Sequence, residues 1–187
     1  MLAGPTYSGS MHVFRLSGKI AALNAPNVSP VHGTFTKTVP WNWDAGQMLG
    51  WVPTTSNHLV FSCHGFHTGK KADFPAVHMS IGTVLHPQNV GAFDVLMSAL
   101  ELRVIWVTAC SLAMEDPGDA WLAQMARRSG CYVVANSFDT PDRSPPWNCV
   151  EDTHYLNAVP KYFKPDGGTL GRESFLALGS ELRFKKG

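Results

Sequence analysis

Two residues with complementary chemistry follow two hydrophobic runs of this chain. His64 comes after the run LVFSC at 59–63, and Cys110 comes after VIWVTA at 104–109. A thiol attacks a carbonyl carbon only as the thiolate, and an imidazole is the usual group that takes its proton. If the two runs are neighbouring parallel strands, both side chains arrive at one edge of a sheet, where α/β proteins build their sites. The pair therefore indicates a nucleophile and its base.

The segments around this pair predict alternating strands and helices. Short apolar runs predict strands at 58–63, 103–109 and 131–136. Amphipathic spacing predicts helices at 89–100, with Asn89 as the cap, and at 119–128, with Gly130 after its end. This order implies parallel strands joined by right-handed crossovers, in an α/β fold with a mostly parallel central sheet flanked by helices.

The rest of the chain carries weaker patterns. We expect a strand pair within 11–23, one strand near 33–39, an exposed loop at 65–75, a hairpin at 77–85, a loop at 137–147 that overhangs the sheet edge, a helix at 150–159, a strand at 161–164 and a helix at 170–178. Trp41, Trp43 and Trp51 are expected to pack on the core, with the wall of a substrate cleft as the alternative.

Composition limits the classes of protein and partner. The chain has 187 residues, of which 44% are hydrophobic and 16% charged, so we expect one domain over 11–187 after a flexible lead-in at 1–10. A net charge of +1 gives no reason to expect nucleic acid or an anionic membrane as a partner. No apolar stretch approaches the roughly 20 residues of a membrane span, and no secretory signal is recognisable. We therefore expect a cytoplasmic protein, or one delivered by a dedicated secretion system.

The cysteines predict neither a disulfide scaffold nor a common zinc motif. They are few and widely spaced, and no Cys-x-x-Cys pair occurs among Cys63, Cys110, Cys131 and Cys149. Cys63 precedes His64 in a strand, where neighbours point to opposite faces, so we expect it in the core. A metal site built on Cys63, His64 and His67 is an alternative, but no second short-spaced pair completes its shell. The prediction is therefore no metal and no cofactor.

At the level of motifs, the chain resembles the caspase-like cysteine peptidases, which include caspases, gingipains, legumains, separases and bacterial CHAT domains. The matching pieces are LVFSCHG, the intervening segment NVGAFDVLMSAL, then VIWVTACS and the following CYVVAN. The resemblance covers about 57–136 and depends on the order and spacing of these pieces. It implies a caspase-like three-layer sandwich.

The resemblance also implies roles for individual residues. His64 would be the catalytic base and Cys110 the nucleophile, while the backbone amides of Gly65 and Cys110 would stabilise the oxyanion. Peptide bonds of a protein or peptide substrate would be cleaved through an acyl-enzyme, without a cofactor. The family context also suggests a bacterial protease module of a toxin, effector or immunity system, with a regulatory or activating partner protein as a possibility.

Substrate preference stays open at this point. Several members of the group that prefer basic residues carry an acidic residue two positions before the cysteine, and this chain has Thr108 there. Asp139 and Asp142 could line a pocket for a basic side chain, whereas Arg143 could favour an acidic one. Two rival functions also remain open: a peptidase-like binding module without a competent dyad, and a metal-dependent enzyme built on Cys63, His64 and His67.

Overall fold

A seven-stranded sheet forms the centre of the molecule, in the strand order β11-β10-β8-β7-β4-β2-β3. The computed structural model describes residues 12–67, 75–109, 112–137, 154–157 and 160–186. The strands of this sheet are β2 (Ile20–Asn24), β3 (Phe35–Thr38), β4 (His58–Ser62), β7 (Val104–Val107), β8 (Tyr132–Asn136), β10 (Pro160–Phe163) and β11 (Thr169–Leu170). The five strands from β8 to β3 pair in parallel, and β10 and β11 add antiparallel pairs at one edge.

Two smaller sheets and four helical segments complete the described structure. The first small sheet contains β1 (His12–Leu16), β9 (His154–Asn157) and β12 (Phe184–Lys186), and the second contains β5 (His64–His67) and β6 (Val77–Ser80). The helical segments are α1 (Ala45–Gly50), a 3₁₀ helix (Pro87–Ser98), α2 (Gly118–Ser129) and α3 (Arg172–Ala177). None of the described helices combines the length and apolar character needed to cross a membrane.

Alternating residues of the central strands build two cores on opposite faces of the sheet. Leu59, Phe61 and Ile105 pack in one core with α1, the 3₁₀ helix and α2. Val60 and Trp106 pack in the other core with residues of α3, β1 and β12. Because strand neighbours point to opposite faces, a strand buried on both sides reads as one continuous apolar run. The expected α/β fold with a mostly parallel central sheet flanked by helices is thereby confirmed, with a small sheet also covering the second face.

The helix predicted at 89–100 is present, but its type differs from the α-helix that amphipathic spacing indicates. It is a 3₁₀ helix, Pro87–Ser98, that buries Val90, Phe93 and Leu96. A 3₁₀ helix has three residues per turn, so residues spaced by three lie on one face. Three other apolar side chains of the predicted segment are exposed: Val95, Met97 and Leu100.

Four other local predictions need correction. The segments at 12–16 and 20–24 are strands but do not pair with each other, because β2 is buried on both faces in the central sheet while β1 pairs with β9 and β12. Residues 64–67 form a strand and not the start of a loop. Residues 154–157, within the predicted helix at 150–159, form strand β9. Trp41 is exposed, although Trp43 and Trp51 do pack on the core.

Several predictions are confirmed. Helix α2 falls within one residue of its predicted bounds, and Gly130 ends it in the left-handed conformation at φ 67°. Strands near 33–39 and 161–164 and a helix within 170–178 are also present. The expected loop at 137–147 lies outside the described residues after Ser137, as do residues 1–11.

Candidate functional site

The carboxyl ends of β4 and β7 lie side by side at one edge of the central sheet. Four residues of β4 pair with the residues 46 positions later in β7, from His58 beside Val104 to Phe61 beside Val107. The amide of Thr108 continues the ladder by donating to the Phe61 carbonyl at 3.0 Å. Cys110 follows His64 by the same 46 positions. β4 and β7 are therefore neighbouring parallel strands, as the sequence predicts. Cys110 itself lies outside the described residues.

His64 begins a separate ribbon at this edge. After Cys63 the chain leaves the central sheet and forms β5, which pairs antiparallel with β6 so that His64 lies opposite Ser80 and His67 opposite Val77. Alternation places His64 and Phe66 on one face of β5 and Gly65 and His67 on the other. We call the first of these the outer face and the second the inner face.

The outer face keeps the His64 side chain partly accessible. His64 and Ser80 are half-buried, and Phe66 is 48% exposed. The ring of Phe66 stacks on that of its cross-strand neighbour His78, with centroids 4.7 Å apart and planes at 19°. Nδ1 of His78 lies 2.8 Å from the Pro75 carbonyl oxygen, which orients this imidazole. A partly exposed imidazole can exchange a proton with a bound molecule.

The backbone N–H of Gly65 points away from its partner strand. Met79, which lies opposite Gly65, exchanges both of its backbone hydrogen bonds with Leu85, at 2.8 and 3.1 Å. Because the N–H and C=O of one strand residue point to the same side, Met79 has neither group available for β5. Gly65 and Met79 therefore form a non-hydrogen-bonded pair. The Gly65 amide is left as a donor that the ribbon does not use.

The inner face of the ribbon is buried and contacts the segment that precedes α2. Nε2 of His67 lies 3.0 Å from the carbonyl oxygen of Glu115. Val77 and Met79 are buried on the same face. On the far side of this segment, the Ala113 amide donates to the carbonyl of Asn136 at the end of β8, at 2.9 Å.

The hydroxyl and the amide of Thr108 both form hydrogen bonds within the sheet. Its hydroxyl donates to the Phe61 carbonyl at 2.8 Å, in addition to the bond made by its amide. The other three residues that the sequence suggests for substrate binding, Asp139, Asp142 and Arg143, lie outside the described residues.

The described thiols are buried. Cys63 lies in the core that also contains residues of α1, the 3₁₀ helix and α2, as the strand alternation predicts. Burial raises the pKa of the Cys131 thiol to about 11, so this thiol is not a nucleophile at neutral pH. Within the described part of the chain, which includes Cys63, His64 and His67, no three His, Cys, Asp or Glu side chains are grouped to hold a metal ion.

Sequence reasoning did not find the contact between His67 and Glu115. The two residues are 48 positions apart, and no spacing pattern connects a strand imidazole to the carbonyl of a distant loop. It also did not find that His58, at the start of β4, is buried against Trp106. The only available sign was a histidine at the start of an otherwise apolar run.

Comparisons of the chain with protein-family models, with curated proteins and with solved structures give no significant match.

Proposed function

We propose that this chain is a caspase-like cysteine endopeptidase in which His64 is the base and Cys110 the nucleophile. The observation that carries the proposal is the shared register of β4 and β7, in which the 46-residue offset of the ladder equals the separation of His64 from Cys110. Parallel strands end at the same sheet edge, so residues placed equally far beyond the last pair of the ladder, Phe61 and Val107, start from neighbouring positions.

The proposed reaction uses only groups of the chain and water. His64 takes the thiol proton, and the Cys110 sulfur bonds to the carbonyl carbon of the scissile peptide. The oxyanion then accepts hydrogen bonds, for which the unused Gly65 amide and the Cys110 amide are the proposed donors. His64 returns the proton to the leaving amine as the C–N bond breaks. A water molecule, deprotonated by His64, hydrolyses the acyl-enzyme and releases the carboxylate and the thiol.

Protein or peptide substrates are proposed without a defined preference. Thr108 lies at the sheet edge, and its hydroxyl donates its proton to the Phe61 carbonyl, which leaves its methyl group and two oxygen lone pairs for a ligand. Asp139 and Asp142 remain proposed contacts for a basic side chain and Arg143 for an acidic one. The caspase-like assignment, a bacterial effector or immunity context and a regulatory partner belong to the same proposal.

Selective alkylation of Cys110 tests the proposal. The wild-type protein is treated with limiting iodoacetamide at neutral pH, and each cysteine-containing peptide is quantified by mass spectrometry. We expect Cys110 to react at least about tenfold faster than a free thiol, because a nearby imidazole raises its thiolate fraction. His64→Ala should remove this advantage, whereas His86→Ala, which removes a different imidazole, should retain it.

Cys131 provides the internal control, since its buried thiol should react far more slowly in the folded protein. If Cys110 reacts no faster than a free thiol, the peptidase proposal fails. A peptidase-like binding module without a competent dyad then becomes the better reading. Stoichiometric bound zinc that disappears in His67→Ala would instead favour the metal-dependent alternative.

A further inference from the structure

His67 ties the ribbon that carries His64 to the segment that follows Cys110. It lies three residues after His64 on the inner face, with 7% of its surface exposed, and its Nε2 is 3.0 Å from the Glu115 carbonyl oxygen. A carbonyl oxygen only accepts hydrogen bonds, so Nε2 carries the proton and donates it. This contact joins β5 to the segment 112–118, although the two bonded residues are 48 positions apart in the sequence.

The segment from Leu112 to Gly118 is held on both sides. The Ala113 amide donates to Asn136 of β8 at 2.9 Å, and the Glu115 carbonyl accepts from His67 of β5. The packing is close, since a Cβ at Gly118 would meet the Leu112 carbonyl oxygen and would lie 3.1 Å from Cδ2 of His67. The segment 112–118, which leads into α2, is therefore fixed between β8 and the ribbon.

The imidazole at position 67 carries a cost that an apolar side chain would avoid. Its Nδ1 is buried and has no hydrogen-bond partner among the described residues. An unpaired buried acceptor loses its hydration without compensation. A leucine or phenylalanine in the same space would not incur that loss. The imidazole, unlike these apolar side chains, donates a hydrogen bond from Nε2–H to the Glu115 carbonyl.

We propose that His67 is a positioning residue of the peptidase, which holds the segment after Cys110 at a fixed distance from the strand that begins at His64. This inference rests on the proposed function. His67 does not itself touch the substrate. It acts through the Glu115 carbonyl, five residues after Cys110, so that thiol and imidazole meet in a reactive geometry.

Two substitutions at His67 test the role. His67→Leu removes the donor while filling similar space, and His67→Gln restores an N–H at nearly the reach of Nε2. The rate of Cys110 alkylation by iodoacetamide is measured against pH in each folded variant, together with hydrogen exchange of the 112–118 amides. Ser129→Ala, which removes buried hydrogen bonds at the opposite end of α2, is the matched control.

We expect His67→Leu to slow Cys110 alkylation at neutral pH by about tenfold or more, to move the pH profile toward that of a free thiol and to speed exchange at 112–118. His67→Gln should recover most of the rate, and Ser129→Ala should keep the wild-type profile. A wild-type rate in His67→Leu, with wild-type Cys110 still faster than a free thiol, overturns the positioning role and leaves the peptidase proposal standing. A slow wild-type Cys110 overturns both.

Discussion

The indole N–H of Trp106 donates to Nδ1 of His58 at 3.1 Å, joining β7 to β4 within the buried core of the sheet. Since Nδ1 accepts this bond, the proton of the neutral imidazole is on Nε2, which lies 3.0 Å from both the Ser17 and the Arg183 carbonyl oxygens. One histidine therefore connects the central sheet to the turn after β1 and to the residue before β12.

This arrangement predicts acid-sensitive stability. Burial lowers the pKa of His58 from 6.5 to about 4, so the unfolded chain binds a proton at higher pH than the folded protein. The stability that depends on neutral His58 is complete above pH 6.5 and is lost as the pH falls towards 4. The loss corresponds to about 3 kcal/mol.

Urea denaturation between pH 7.5 and 4 measures this effect. His58→Gln has no titratable group at this position, so its free energy of unfolding should fall less steeply with acid than that of the wild type. The difference between the two curves isolates His58 from the other ionisable groups. Parallel curves for wild type and variant would contradict a depressed pKa at His58.

Phe175 should be among the most costly residues to truncate. Its ring is fully buried and stacks on Tyr162 at 4.5 Å and on Phe184 at 4.8 Å between centroids. Phe175→Ala should lower the free energy of unfolding by about 3–5 kcal/mol, because it leaves a cavity on the second face of the sheet. Chemical denaturation gives the value directly.

Phe66→Ala is the matched control for that substitution. The same ring is lost, but Phe66 is 48% exposed, so we expect a cost of about 1 kcal/mol or less. Similar costs at the two positions would mean that α3 does not pack on the sheet as described.

Thr108 should contribute modestly to stability through its hydroxyl. Thr108→Val removes the 2.8 Å bond to the Phe61 carbonyl, which still accepts from the Thr108 amide. We expect a loss of about 1 kcal/mol, with most of it avoided in Thr108→Ser, which retains the hydroxyl. Thermal or urea unfolding of both variants checks this, and equal stabilities would argue against the bond.

The strands at the centre of the sheet were predictable because a strand that is buried on both faces requires a continuous apolar run in the sequence. The runs that become β4, β7 and β8 are short and mainly apolar, which is the pattern of parallel strands covered by other layers. The expectation that His64 and Cys110 lie at one edge of the sheet follows from the predicted order of these parallel strands.

Pairing between distant segments was not predictable. β1 pairs with β9 and β12, which follow more than 130 residues later, and local pattern carries no information about such partners. The helical type of 87–98 was in principle readable, since Val90, Phe93 and Leu96 are spaced by three. Other apolar residues of the segment, such as Val95 and Met97, concealed this spacing, because apolar residues also occur on exposed surfaces.

The candidate site was predictable only as far as the strand ends. The contact of His67 with Glu115 depends on how the ribbon of β5 and β6 packs. The direction of the Gly65 N–H, away from β6, depends on how the two strands pair. Residues 65–67 of β5 fall in the predicted loop, whereas β6 falls in the predicted hairpin at 77–85. The pairing of β5 with β6 spans the segment 68–74, and no local pattern indicates it.

A cleavage profile tests the central claim most directly. Wild-type protein and the Cys110→Ala and His64→Ala variants are incubated separately with a denatured proteome, and the new amino termini are identified by mass spectrometry. We predict termini that appear with the wild type, share a side-chain preference before the cut, and are absent with Cys110→Ala and His64→Ala. Identical termini in the wild type and Cys110→Ala would contradict a peptidase that uses this cysteine.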